Sequence, residues 1–277
     1  MQTFETKNAI DEIVLRGGIC APDHPRAVMT LIHGFGEHQG RYLDMIEHLL
    51  DDNIAVVTMD LRGHGTSEGK RGVCLDYALM LGDVNAQLGH AREAFPNLPH
   101  YLYGHSMGGG LALRYASDSK RAKPLSGLIA SAPLIKLSKP PAKPLEWITK
   151  FLRKLAPEMT IKNTIAGEEI SNLEQEQKRY ESDPLNHDNL GVGLVIDMIE
   201  NGDNVLSRAE NQTLPVLLMH AVDDQLTSVD GSRSFAALAP HCSLHEFENS
   251  QHEMHNDAPR AQIYNLMTDF MTQDAIS

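Results

Sequence analysis

The stretch Tyr101-Leu102-Tyr103-Gly104-His105-Ser106-Met107-Gly108-Gly109-Gly110-Leu111-Ala112 decides the fold. A short apolar run leads into a G-x-S-x-G pentapeptide, and small residues suited to a helix follow it. The pentapeptide alone arises by chance; a strand before it and a helix behind it give it meaning. A serine there sits on a strained strand-to-helix turn, where side chains two positions away on either side would strike backbone. The turn lifts the Ser106 hydroxyl above the carboxyl end of a sheet, at a helix start whose dipole favours negative charge. The alternative is a tight glycine-rich turn with an idle serine.

Working outward, Ala27–Ile32 and Ile54–Met59 read as strands buried on both faces, each closed by turn residues. Tyr42, Met45, Ile46, Leu49 and Leu50 recur between them at helical spacing, which predicts a right-handed crossover. Helical periods recur over Leu75–Phe95, Met107–Ser117, Ser232–Leu238 and Pro259–Met271, and apolar runs over Leu125–Ala132, Leu214–His220 and Cys242–Phe247. The alternation predicts an α/β fold, a doubly wound and mostly parallel sheet. From Leu134 to Thr213 the rhythm breaks: no strand is evident, and helical patterns appear at Leu145–Leu155, Ile170–Tyr180 and Gly193–Asn201. Eighty residues are too many for a loop. The expected organisation is a core of residues 1–133 and 206–277 carrying a helical cap, or lid, over 134–205.

A serine hydroxyl needs a base to become nucleophilic, and this fold class supplies partners in the order serine, acid, histidine. The strand ending at His220 runs into Ala221-Val222-Asp223-Asp224, and open α/β sheets place function beyond strand carboxyl ends. Asp223 is the first choice for the acid and Asp224 the second. Phe247-Glu248-Asn249-Ser250-Gln251-His252-Glu253-Met254-His255 offers two histidines; His252, farther from the next helix, is preferred over His255. His33-Gly34-Phe35-Gly36 follows an early strand, so the amides of Phe35 and Met107 are the expected oxyanion donors.

Composition narrows the field. The 277 residues carry 24 Lys and Arg against 37 Asp and Glu, a net charge of −13. Such a balance argues against a sequence-independent grip on nucleic acid, so no nucleic-acid partner is expected. No cofactor is expected. A metal site from His241, His245, His252 and His255 fits no standard zinc spacing and has no accompanying cysteine pair. Cys20, Cys74 and Cys242 are odd in number and widely spaced, the N-terminus lacks a secretory apolar stretch, and no run would span a bilayer. These features predict a cytoplasmic protein.

His33-Gly34-Phe35-Gly36-Glu37-His38 with Gly40-Arg41-Tyr42, Asp60-Leu61-Arg62-Gly63-His64-Gly65 with Ser67-Glu68-Gly69, Gly104-His105-Ser106-Met107-Gly108-Gly109, and Ser182-Asp183-Pro184-Leu185 resemble the monoglyceride lipase branch, with its lysophospholipase-like relatives, of the α/β-hydrolase superfamily. The likeness runs from the first strand to the last helix. It implies Ser106 as nucleophile, Asp223 as acid and His252 as base, with Phe35 and Met107 as oxyanion donors. It also implies Glu37, Arg41, His105 and Tyr180 around the polar, glycerol end of a lipid ester substrate. Phe35 departs from the small residue common there, and its bulk is expected to narrow the acyl pocket.

The reaction expected is hydrolysis of monoacylglycerols to glycerol and fatty acid through an acyl-enzyme. The alternatives are a lysophospholipase or general carboxylesterase of the same fold and, more remotely, a non-catalytic receptor. Between Leu134 and Lys162 stand seven cations and two anions, with Trp147, Lys150 and Phe151 close together. A basic amphipathic helix of that kind predicts peripheral contact with a membrane.

Overall fold

The computed structural model describes residues 1–141, 149 and 151–272. Ten strands are present among them. β1 (Gln2–Lys7) and β2 (Val14–Cys20) form an antiparallel hairpin, and β3 (Ala27–Ile32), β4 (Ile54–Met59), β5 (His100–His105) and β6 (Gly127–Ser131) follow. β7 (Thr160–Lys162) and β8 (Asn189–Gly191) pair only with each other, antiparallel. β9 (Val216–Ala221) and β10 (Cys242–Phe247) complete an eight-stranded sheet of order β1-β2-β4-β3-β5-β6-β9-β10. From β4 to β10 every pairing is parallel.

Helices cover both faces because the central strands are apolar on both. Met29 and Leu31 of β3 point to one side, where Tyr42, Met45 and Leu49 of the α1 region (α1, Leu43–Asp51) pack. Ile32 points to the other, against Val84 and Leu88 of α2 (Tyr77–Ala94) and Leu111 and Tyr115 of α3 (Met107–Ala116). A short α4 (Ser119–Ala122) follows. The closing helix (Arg260–Thr272) lays Ile263, Met267 and Met271 on the α1 side.

The runs Ala27–Ile32, Ile54–Met59 and Cys242–Phe247 are strands over those same residues. The N-terminal hairpin is an addition to the sequence reading: β1 is a polar edge strand with only alternate residues partly covered, so it has no apolar run to betray it. The stretch between β6 and β9 also differs from an all-helical reading, since β7 and β8 lie within it. Its helical period over Ile170–Tyr180 is split into α5 (Gly167–Ile170) and α6 (Glu174–Glu181). Ser171 causes the break. Its hydroxyl donates to the Asn256 carbonyl at 2.9 Å and accepts from the Leu173 amide at 3.0 Å, competing with the helix backbone. α7 (Val192–Ser207) then packs on α3, with the Asn201 amide donating to the Gly110 carbonyl at 3.0 Å. Of the expected helix Leu145–Leu155, residues 145–148 and 150 lie outside the described residues; 149 and 151–155 are helical.

Candidate active site

Ser106 is the residue between β5 and α3, with φ 54° and ψ −119°. An L-residue avoids this backbone conformation unless its surroundings impose it. The Ser106 amide donates to the Ser131 carbonyl at 3.0 Å, and its own carbonyl accepts from Gly110 at 3.0 Å and Leu134 at 2.8 Å. A Cβ on Gly104 would lie 2.2 Å from the Gly108 oxygen, and one on Gly108 would lie 2.4 Å from the His33 oxygen. Both glycines are therefore required by close backbone approach.

The acid beside the histidine is Asp224. Its Oδ2 accepts from His252 Nδ1 at 2.7 Å, and Thr227 Oγ1 lies 2.8 Å from the same oxygen. Oδ1 accepts from the amides of Leu226 at 2.8 Å and Thr227 at 3.0 Å. His220, a buried residue, approaches Oδ2 to 3.4 Å. This corrects the preference for Asp223, whose side chain is exposed. Val222 still extends the β9–β10 ladder through its bond to the Phe247 carbonyl, and the chain then turns, with the Asp224 amide directed to the Ala221 carbonyl. Asp223 is left at the tip while Asp224 folds back beneath the histidine loop. Burial opposes charge on Asp224, yet His252 and His220 hold its carboxyl well below the usual range. Burial likewise opposes charge on His252, and the Asp224 carboxylate overcomes it, holding the imidazole above its ordinary value.

Ser106 and His252 both line a cavity of about 390 Å³, together with Phe35 and Met107. Met107 is the first residue of α3, where an amide has no carbonyl to serve within its own helix. The Phe35 ring stands edge-on to His64 and His187 at centroid distances of 5.9 and 5.5 Å, so its bulk is fixed at the junction with the inserted stretch. The His187 amide donates to the Gly36 carbonyl at 2.8 Å, and His38 Nε2 bonds Asp183 Oδ2 at 2.9 Å. The Ser182–Leu185 segment is thereby tied to the loop bearing Phe35.

Glu37, His105 and Tyr180 also reach the cavity. Glu37 Oε1 accepts from the Gly34 amide and, at 2.6 Å, from the Tyr42 hydroxyl; Oε2 is buried without a partner among the described residues. Burial and the nearby Glu253 carboxylate push Glu37 up to about 8. Burial holds His105 well below its ordinary value. Arg41 differs from expectation: it is not among the residues lining the cavity. Its guanidinium lies 5.4 Å from the Tyr180 ring centre and pairs with Glu253 at 2.6 Å. Glu253 and Thr227 were not singled out by sequence patterning, and Asp224 stood only second to Asp223 as the acid; for Glu253, a carboxylate directly after the candidate base was the one available signal.

Most of the remaining wall is apolar, including Leu134, Leu137, Ile170, Val195, Met198 and Ile199, with Lys139, Asn163, Thr164, Glu169, Gln225 and Glu253 among the polar residues that also border it. Trp147 and Lys150 lie outside the described residues. No cluster of His, Cys, Asp and Glu suited to a metal occurs among the described residues.

The serine and the histidine–acid pair come from strands far apart in the chain and meet only at the carboxyl edge of a parallel sheet. That is how α/β hydrolases are built, and the chain has the fold of that class. Residues 23–259 match the family model described as serine aminopeptidase, S33, and the chain belongs to that family. It is 32% identical over 256 residues to an uncharacterized abhydrolase domain-containing protein of Dictyostelium discoideum, covering 90% of this chain and 26% of that protein. The chain thus spans about a quarter of the length of that relative. It is 30% identical over 257 residues to a monoacylglycerol lipase of Mycolicibacterium smegmatis, covering 91% of each. The crystal structure of a Paleococcus ferrophilus monoacylglycerol lipase superposes with a TM-score of 0.83 at 27% identity, over 93% of this chain and 98% of that one.

Proposed function

We propose that this chain hydrolyses monoacylglycerols to glycerol and fatty acid. The observation that carries the reading is the make-up of one cavity: Ser106 and His252 line it together with a mostly apolar wall and the polar residues Glu37, His105 and Tyr180. Likeness to a protein named monoacylglycerol lipase, at 30% identity along 91% of each chain, supports it.

Ser106 Oγ attacks the ester carbonyl while His252 Nε2 takes its proton, since Nδ1 is held by Asp224. The amides of Phe35 and Met107 receive the developing oxyanion; each such donor contributes on the order of 3–4 kcal/mol in other serine hydrolases. The tetrahedral intermediate expels the glycerol oxygen, which takes the proton back from His252. Water then attacks the acyl-serine ester with His252 again as base, releasing the fatty acid and restoring Ser106. Glu37, neutral below about 8, has Oε2 available to a hydroxyl of glycerol. Arg41 is paired through Nη2 with Glu253 and does not line the cavity, so the polar residues there present no guanidinium to a phosphodiester. This favours a neutral head group over a lysophospholipid.

The inserted stretch is the cap in this reading, and lipid enters beneath it. Phe151 and Leu155 lie one helical turn apart and are 62% and 68% exposed; Ile161, 45% exposed, also borders the cavity. Exposed apolar side chains on the stretch that borders the cavity suit a lipid interface. The basic run contributes less than its count suggests, because Arg153 pairs with Asp197 and Lys162 with Asp188. The pair Phe151→Asp and Leu155→Asp should abolish binding to anionic vesicles; unchanged partitioning removes the membrane contact from the reading.

The deciding experiment is a panel of monoacylglycerols, diacylglycerols and lysophosphatidylcholine, run with the wild type and Ser106→Ala. The expected result is turnover of monoacylglycerols alone, lost at least about a thousandfold in the variant. Turnover confined to lysophosphatidylcholine would replace the substrate, and failure of a fluorophosphonate to label Ser106 would leave a binding protein.

A further inference from the structure

At the edge of the cavity, among its lining residues, a single carboxylate joins three parts of the chain. Glu253 and Arg41 are 1% and 2% exposed, and their ion pair is 2.6 Å long. The Asn256 side-chain amide donates to Glu253 Oε2 at 2.7 Å and to the Arg41 carbonyl at 3.2 Å, closing the arrangement. Arg41 belongs to the one-turn helix Gln39–Tyr42, directly after the loop bearing Phe35. Tyr42, its neighbour, bonds Glu37, which in turn holds the Gly34 amide. On the opposite side, the Glu253 and His252 amides donate to the carbonyls of Ile170 at 2.8 Å and Glu169 at 3.3 Å, both in the inserted stretch.

Removing two charges from water costs several kcal/mol per ion, and a buried pair replaced by apolar groups is often no less stable. Stability is therefore a weak reason for this pair, whereas registry between two loops is a use such pairs are known to serve. We propose that Glu253 is a positioning residue for ester hydrolysis: paired with Arg41, it fixes the His252 loop against the segment that carries the oxyanion donor and sets the electrostatic field at the imidazole. The proposal rests on the serine hydrolase reading above.

The charged and titratable groups around Glu253 are Arg41, Glu37, Tyr42, Tyr103, Tyr180, His252 and His255. Burial keeps His255 neutral, lowering it to about 4, and opposes charge on Glu253; Arg41 outweighs that opposition and keeps Glu253 ionised. An ionised Glu253 adds to the effect of Asp224 in favouring protonated His252. Loss of that charge moves the acid limb of the reaction to lower pH.

The test is the rate at which a fluorophosphonate labels Ser106, followed against pH, beside kcat and KM on a monoacylglycerol normalised to labelled sites. Glu253→Gln should lower kcat about tenfold with KM within about twofold, and shift the acid limb of labelling downward. Glu253→Asp, which keeps the charge, should restore the limb. The double variant Arg41→Met with Glu253→Met removes both charges together, so it tests the shift should Glu253→Gln leave Arg41 unpaired and the fold weakened. Unchanged limbs in every variant, with kcat per labelled site within twofold of wild type, overturn the proposal. A wild type that labels yet does not cleave monoacylglycerols overturns the substrate alone, because labelling needs no glycerol ester. A wild type that does not label overturns both.

Discussion

Asp224 Oδ2 and His252 Nδ1 stand 2.7 Å apart, both side chains buried, while Asp223 points to solvent. Adjacent carboxylates should therefore separate cleanly in kinetics. Asp224→Asn turns an obligate acceptor into an amide and favours the wrong imidazole tautomer, which costs about 10⁴ in kcat in a comparable triad. A loss of about a thousandfold or more is expected here, with Asp223→Asn within about twofold of wild type. Steady-state kinetics of the two variants settles the order; equal losses would mean that the turn rearranges.

The pH profile should be a narrow bell. His252 must be neutral to act as base, and its pKa is raised, so activity falls as pH drops through a value above the ordinary 6.5. Glu37 is an acid raised to about 8, neutral below that and ionised above. Ionisation removes a donor from the polar residues of the cavity and sets a second negative charge beside Glu253, so kcat/KM should fall again above about 8. Glu37→Gln is expected to abolish the alkaline limb and keep the acid one. An alkaline limb that persists in that variant assigns it elsewhere.

Two glycines give opposite expectations for the same substitution. Gly108→Ala drives a methyl to 2.4 Å from the His33 oxygen, on backbone that cannot yield without moving the Phe35 loop. A loss of about 2–4 kcal/mol is expected, with activity falling alongside. Gly89, inside α2, has nothing within 4 Å of an added Cβ. Gly89→Ala should stabilise by about 0.5–1 kcal/mol, as an open helical site does. Urea unfolding of both variants checks the contrast.

The bond between His38 and Asp183, 2.9 Å long, anchors the inserted stretch to the oxyanion loop at a site where both side chains are largely covered. Asp183→Ala leaves His38 without that partner and frees the Ser182–Leu185 segment from one of its ties. It should cost about 1–2 kcal/mol of stability, in the range for a charge-assisted bond, and raise KM more than it lowers kcat. Thermal unfolding and Michaelis kinetics measure the two effects; a fall in kcat alone would place the pair in the chemistry instead.

The core was legible where one strand or helix carries its own signal. Ile54–Met59 is apolar at every position and flanked by turn residues, so no distant contact is needed to recognise it. Gly104, Ser106 and Gly108 likewise announce a strained turn because the steric demand is local. Gln2–Lys7 gave no such signal, since an edge strand is held by ladder bonds to β2 rather than by burial. Ser171 hid a helix break because its competitor, the Asn256 carbonyl, lies 85 residues away.

The sequence by itself determined the α/β order, the serine on its turn and the histidine loop, all of which follow from short-range periodicity and sterics. Only the tertiary structure decided between Asp223 and Asp224, withdrew Arg41 from the cavity and paired it with Glu253. Each of these is a choice among neighbouring polar residues of equal local propensity. Burial and pairing across two hundred residues separate them, because a charge taken out of water must find its partner wherever the fold has put it.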